Sequence, residues 1–527
     1  MKRQAAWCWL VLSPLVCAQN VTYERLVHAL DEQQNWLTYW GDYSAIRHRD
    51  LKQINTSNVK DLRVDWIFQT GQPGSFEAVP LVVDGVMYFT AAGGYAYALD
   101  ARSGRQLWMY KHAFPPGRKA DFVNRGLAIL GNRLFMATPD ANVVALDAHT
   151  GRLVWQTEMA PFNGGQHQAT LAPLVIKDKV IVGISSAEWG IRGFIDAYEA
   201  ATGKRAWRFW TIPAKDEPGG DTWAADSWKR GGGSTWMTGT YDPQLNTLYW
   251  GVGNPGPDLY GESRKGDNLY TCSLVAVDPD TGKLKWHFQF TPHDTHDWDA
   301  AETPMLLDLN WKGRNRKLVV QANRNAFFYV LDRETGEFLM GKPFARQNWA
   351  KELDAKGRPI LMPNTEPSPE GTRLCPGLAG GTNWMAPSYN PETRLFYFAV
   401  REGCDVYYSS PPVYVEGRQY WGSMQRAASD EPEWGMLKAL DPLTGETTWD
   451  FRYTHAPWAG TLSTAGGLIF AGDQDGYLMA FDAKTGRNLW RFNTGNPLSN
   501  SPMTFMVNGR QYITMPSGSA VLTFALP

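Results

Sequence analysis

The chain of 527 residues is poor in cysteine, in net charge and in long apolar runs, and each shortage excludes something. Among five cysteines no Cys-x-x-Cys-His occurs, which excludes a covalently held c-type haem on this chain. Lysine plus arginine number 51 against 53 aspartate plus glutamate, a formal charge of -2, so nucleic acid and acidic membrane surfaces are not expected partners. The apolar run in MKRQAAWCWLVLSPLVCAQN is shorter than the roughly 20 residues a span needs. Lys2 and Arg3 before it and Val16-Cys17-Ala18 after it fit a secretory signal over residues 1–18, cleaved before Gln19, with residues 19–527 as one exported domain without a membrane span. A membrane anchor and a lipoprotein through Cys17 are the alternatives; the short run and Val16 argue against them.

Cleavage removes Cys8 and Cys17 and leaves Cys272, Cys375 and Cys404 in an oxidising space. Cys272 lies in the apolar run TCSLVAVD and reads as a buried free thiol, so Cys375 and Cys404 are the disulfide candidates.

What the chain has in quantity is glycine (51), proline (33) and tryptophan (24), and these recur in register. ALDARSGRQLW (98–108), ALDAHTGRLVW (145–155), AYEAATGKRAW (197–207), AVDPDTGKLKW (276–286), VLDRETGEFLM (330–340), ALDPLTGETTW (439–449) and AFDAKTGRNLW (480–490) each read as strand, turn, strand. The acidic residue and the Thr or Ser bond the turn backbone, the glycine takes positive φ, and the final Trp, once Met340, is a large apolar plate. Before each copy stand two apolar runs around a turn, as in PLVVDGVMYF and SYNPETRLFYFA, which read as hairpins. Hairpin plus strand-turn-strand is a four-stranded antiparallel blade. MTFMVNGRQYITM and SAVLTFA supply three strands of an eighth, and LRVDWIF (62–68) with Trp66 supplies the fourth. The expected fold is an all-β, eight-bladed propeller with its last blade built from both termini, and with insertions at 208–235 and 341–384 covering one face.

Repeats leave function open, so the polar clusters carry it. In HDTHDWDAAETP (293–304), Asp297 and Asp299 fall on one side of an extended segment and could share a cation; a plain polar loop is the competing reading. Glu188 in GISSAEWGIRGF and Asn254 in YWGVGNPGPD could each serve a turn alone, yet with Asp297 and Asp299 they come from three consecutive repeats. Oxygen-only donors describe a hard-cation site, whereas His293 and His296 lack a zinc framework. Trp236, Arg125, Arg324, Asn383, Trp384 and Trp458 fit a flat anionic cofactor stacked on indole and held by guanidinium, packing being the alternative for any single Trp.

KDKVIVGISSAEWGIRGFIDAYEAATG, VNRG, GGGSTWMTGTYDP, GNPGP and TPHDTHDWDA together resemble the periplasmic quinoprotein alcohol dehydrogenases, the methanol and ethanol dehydrogenase family that uses pyrroloquinoline quinone (PQQ), over nearly the whole mature chain. The resemblance implies Glu188, Asn254 and Asp297 as metal ligands and Asp297 as catalytic base. It implies Asp299 as the further aspartate of lanthanide-using members and Trp236 as the floor under PQQ. Glu77, Arg125, Thr170, Ser185, Ser186, Ala187, Arg324, Asn383 and Trp458, with Trp384 beside them, match positions around the cofactor, and Cys375 and Cys404 match a family disulfide. The family commonly has two adjacent cysteines before VNRG; this chain has Lys119-Ala120-Asp121-Phe122, which leaves the cover of PQQ's other face to different groups.

Glu188 and Asp297 already balance a divalent ion, so a third carboxylate from Asp299 favours a trivalent lanthanide over the alternative, Ca²⁺. The expected activity is oxidation of a small alcohol to its aldehyde, with Arg324 stabilising developing negative charge and a soluble cytochrome c accepting electrons. The competing functions are a PQQ-dependent sugar, polyol or aldehyde dehydrogenase, and a cofactor-free scaffold propeller. The scaffold gives no reason for Glu188, Asn254, Asp297 and Asp299 to accompany Trp236 and Arg324. Oligomeric state stays open, a homodimer included.

Overall fold

A computed structural model describes residues 20–74, 76–116, 123–161, 166–430 and 432–527. The signal at 1–18 and the Lys119–Phe122 segment lie outside the described residues. Among those described, nearly all regular structure is β: seven four-stranded antiparallel sheets, one five-stranded sheet and two small ones. Every sequence hairpin forms the first pair of a sheet, as Leu81–Val83 with Val86–Ala91 and Met503–Val507 with Arg510–Ser517. Arg63–Gln69 pairs antiparallel with Ala520–Ala525, so strands near the two termini share one sheet.

The repeated turn forms as its chemistry requires. In ALDAHTGRLVW, Asp147 Oδ1 accepts from the backbone N–H of His149 and Thr150 and from the Thr150 hydroxyl, and Gly151 has φ +68°. The same glycine admits its neighbour: a Cβ there would lie 2.6 Å from the Trp108 ring of the preceding sheet. Trp108 Nε1 also donates to Ala148 O at 2.9 Å. In the same manner Trp66 packs on Gly104, Trp155 on Gly203, Trp207 on Gly282, Trp286 on Gly336 and Trp449 on Gly486, while Trp490 Nε1 donates to Leu62 O at 3.0 Å. Met340 replaces the indole and meets Gly445 together with the Lys342 stem.

The insertions carry their own structure. Residues 208–235 hold two short 3-10 turns, Gly220–Thr222 and Ser227–Arg230. Within 341–384, Ala350–Leu353 pairs with Pro359–Leu361, and Thr372–Leu374 joins Asp405–Tyr407 and Gln425–Ala427. The last two strands reveal a third excursion, between Leu395–Glu402 and Trp434–Leu440, that repeat spacing did not disclose. Cys375 and Cys404 form the disulfide that joins these excursions, and Cys272 is a buried free thiol.

The segment before the repeats is a strap that runs along the first strands of several sheets. Trp36 pairs with Val82, Tyr43 O accepts from Tyr241 N, Ser44 O from Leu306 N, Ile46 O from Tyr389 N, and Arg47 O from Ser463 N. The fully buried Arg47 guanidinium donates to Thr461 O and Pro502 O. These partners lie on the first strands of five different sheets and, at Pro502, just before the first strand of a sixth, so the strap ties those strands together. His48 is buried in it, bonded to Ser463 Oγ at 2.8 Å, and burial together with Arg49 pushes its imidazole down to about 4. Its unfolded form titrates near 6.5, so the neutral folded form is favoured above that pH and loses stability as pH falls toward 4, on the order of 3 kcal/mol in all. His48→Asn should therefore move the acid-unfolding midpoint to lower pH; an unchanged midpoint by circular dichroism refutes the assignment.

Candidate active site

Antiparallel pairing decides where the functional side chains gather. Glu77, Arg125, Thr170, Trp236, Asp297, Asn383 and Trp458 each precede the first strand of a sheet, whereas Ser185, Glu188, Asn254 and Arg324 follow a second strand. The start of the first strand and the end of the second lie at the same edge. A cavity of about 470 Å³ opens there, lined among others by Glu188, Trp236, Asp297, Asp299, Arg324 and Asn383. That volume is in the range, roughly 300–1,000 Å³, of small-molecule sites.

One wall is anionic. Glu188, Asp258 and Asp297 each bring a carboxylate oxygen within 4.8 Å of the other two. Asp297 sits at φ +62°, a left-handed conformation uncommon outside glycine. Asp299 lies beside them: Oδ1 accepts from Asn254 N at 2.6 Å, and Oδ2 accepts from Trp236 Nε1 at 2.9 Å and Arg324 Nη1 at 2.8 Å. Arg324 Nη2 stands 3.4 Å from Asp297 Oδ2 and donates to Leu378 O at 2.6 Å. Burial pushes Glu188 up to about 7, with Asp299 adding to it, and pushes Asp297 well above the ordinary carboxylate range. Burial opposes the charge on Arg324, but Asp297, Asp299 and Glu302 outweigh it and raise its pKa. Carboxylates crowded around a single guanidinium await a further cation.

The other wall is aromatic and cationic. The Arg125 guanidinium stands 4.9 Å from the Trp236 ring and 5.2 Å from the Trp384 ring, donates to Thr170 Oγ1 at 2.8 Å and pairs with Glu77 at 2.7 Å. Ser185 and Ser186 line the cavity, with the buried Ala187 between Ser186 and Glu188. Asn383 Nδ2 donates to Ala379 O, and Arg401 lies 4.1 Å over the Trp458 ring. Indole planes flanked by Arg125 and Arg324 suit a flat anion. The carboxylate and amide oxygens suit a hard cation, and the buried Asn254 Oδ1 has no hydrogen-bond partner to compete with one.

Two histidines of the HDTHDWDAAETP stretch have other duties. His293 Nδ1 bonds Gly266 O, and His296 Nε2 bonds Thr365 O while its ring stacks on Trp298 at 4.2 Å. Trp298 is fully buried packing. The residue that the sequence reading passed over is Asp258, the last of GNPGPD, where an aspartate after Gly and Pro looks like a turn former. Gln419, from the excursion that spacing hid, also lines the cavity.

Antiparallel sheets joined by tryptophans that pack on the next sheet's turn, around a cavity that pairs carboxylates with an indole floor, define a cofactor-dependent propeller dehydrogenase. The PQQ family described as "Glucose/ethanol/alcohol dehydrogenase, beta-propeller domain" matches residues 36–360 and 413–513, and the chain belongs to this quinoprotein alcohol dehydrogenase family. It is 37% identical to quinoprotein alcohol dehydrogenase PedH of Pseudomonas putida KT2440, over 97% of this chain and 91% of that protein. It is 35% identical to the lanthanide-dependent methanol dehydrogenase of Methylacidiphilum fumariolicum SolV, over 94% and 86%. The solved structure of a europium-containing methanol dehydrogenase superposes with a TM-score of 0.91 at 33% identity, covering 95% of this chain and 100% of that one.

Proposed function

We propose that this chain oxidises an alcohol to its aldehyde in the periplasm, using PQQ and a trivalent lanthanide and passing electrons to a soluble cytochrome c. The observation that carries the reading is the concentration of carboxylates around Arg324 beside the Trp236 floor. Among the described residues no helix is long and apolar enough to cross a membrane. The eight large sheets are read as eight blades of one ring over residues 19–527, closed through Arg63–Gln69. The series of packed side chains, which runs from Trp66 through each sheet and comes back from Trp490 to Leu62, supports that closure.

Glu188, Asn254, Asp297 and Asp299 would hold the metal. A carboxylate has about four acceptor positions. Asn254 N, Trp236 Nε1 and Arg324 Nη1 use three of those on Asp299, leaving one for an ion. Trp236 and Trp384 with Arg125, Thr170 and Glu77 would bind PQQ, and Asn383 and Ser185 would set its edge. When bound, PQQ would supply a hydride acceptor and the metal would supply Lewis acidity. Asp297 takes the hydroxyl proton, and Arg324 both fixes Asp297 and faces the negative charge that develops opposite it.

The reading is tested by adding PQQ with La³⁺ or Ca²⁺ to purified protein and following dye reduction with a panel of alcohols, aldehydes and sugars. Alcohol turnover with La³⁺ is expected. Turnover confined to sugars or aldehydes overturns the substrate class, and absence of PQQ binding overturns the cofactor.

A further inference from the structure

We propose that Asp258 is an additional metal-ligating residue, so that four carboxylates rather than three surround the ion. The proposal deepens the reading above and rests on it, since it presumes that the cavity takes a metal. Asp258 is fully buried, and neither carboxylate oxygen has a hydrogen-bond partner. A carboxylate sealed from water without a donor is costly unless a cation completes it. Asn254 Oδ1, four residues earlier in the same loop, is also fully buried and unpartnered.

The loop cannot swing Asp258 into solvent. Arg264, itself fully buried, donates from Nε to Pro257 O at 3.0 Å and from Nη2 to Asp258 O at 3.0 Å and Asp294 O at 2.6 Å. Its Nη1 is committed to Asn268 Oδ1 at 2.9 Å. The nearest buried guanidinium thus holds the loop's backbone and leaves the Asp258 carboxylate to another partner. Leu259 N donates to Trp421 O, anchoring the following residue.

Distance points to the same partner. Hard cations of this size hold oxygens at about 2.3–2.6 Å, so two ligands of one ion stand no more than about 5 Å apart. Glu188, Asp258 and Asp297 meet that limit mutually at 4.8 Å. With Asp299, four carboxylates stand around the Arg324 guanidinium. That excess of negative charge suits a trivalent ion better than a divalent one. Asp258 would therefore sharpen preference for a lanthanide as well as affinity.

The test uses metal-free full-length protein titrated with Tb³⁺, read by tryptophan-sensitised luminescence, with Ca²⁺ as competitor. Wild type, Asp258→Asn and Asp258→Ala are compared, and the luminescence lifetime in H₂O and D₂O counts waters on the bound ion. Expected are a ten- to hundredfold weaker Tb³⁺ affinity in both variants, a reduced preference for Tb³⁺ over Ca²⁺, and at least one extra bound water in Asp258→Ala. The Tb³⁺-induced rise in Tm should shrink in Asp258→Asn. Unchanged affinity and water count in both variants, with wild type binding Tb³⁺, overturn the role of Asp258 and leave the metal reading standing. Failure of wild type to bind Tb³⁺ overturns both.

Discussion

Asp297→Asn is expected to lower kcat for alcohol oxidation by about 10²–10⁴, the range that a positioned general base contributes. Asparagine preserves the shape and tolerates the left-handed backbone at φ +62°, which alanine would strain. Its amide cannot accept the hydroxyl proton. Because Asp297 also lies within 4.8 Å of the Glu188 and Asp258 carboxylates and stands 3.4 Å from Arg324, metal and PQQ content must be measured on the same sample. A variant that retains both and turns over within threefold of wild type removes Asp297 from the chemistry. One that loses its metal assigns the loss to ligation.

Asp299→Ala should have two separate consequences. The first is structural: Arg324 keeps its bond to Leu378 O and the longer contact to Asp297 but loses its short ion pair, while Trp236 Nε1 and Asn254 N lose their acceptor. Removing one partner of a buried ion pair costs about 3–5 kcal/mol, measurable as a lower denaturant midpoint in the metal-free protein. The second is functional: loss of one carboxylate should weaken La³⁺ more than Ca²⁺, by on the order of 10–100-fold in affinity. La³⁺-dependent turnover should fall with it. Unchanged La³⁺-dependent activity sinks the assignment of Asp299 as the residue that selects a trivalent ion.

The turns were legible because their chemistry is local. Asp, Thr and Gly within seven residues bond each other, so Asp147, Thr150 and Gly151 could be placed before any fold was known. The tryptophans were legible as plates, and the structure adds that each lies on the following sheet rather than its own. The excursion between Glu402 and Trp434 was not legible: it lies within a repeat, and its strands pair across the insertion, which no periodicity records. The strap from Trp36 to Arg49 was equally silent, because most of its partners in the sheets are backbone groups, which any residue type supplies.

Among the site residues, Glu188, Asn254, Asp297, Asp299, Trp236 and Arg324 could be named as a set from polar groups at strand ends and from resemblance to a family. Asp258 could not, since the same letter at the end of GNPGPD serves a turn or an ion equally well. The sequence by itself determined the strands and the turns, which follow from spacing within short segments and recurring motifs; it reached Cys375 and Cys404 by elimination, and the expected kind of site through residue chemistry and resemblance to a family. Only the tertiary structure decided that Asp299 is tied to Trp236, Asn254 and Arg324, and that Asp258 stands beside Glu188 and Asp297 with no donor of its own. Those relations depend on which sheet packs against which, and on what burial leaves without a partner.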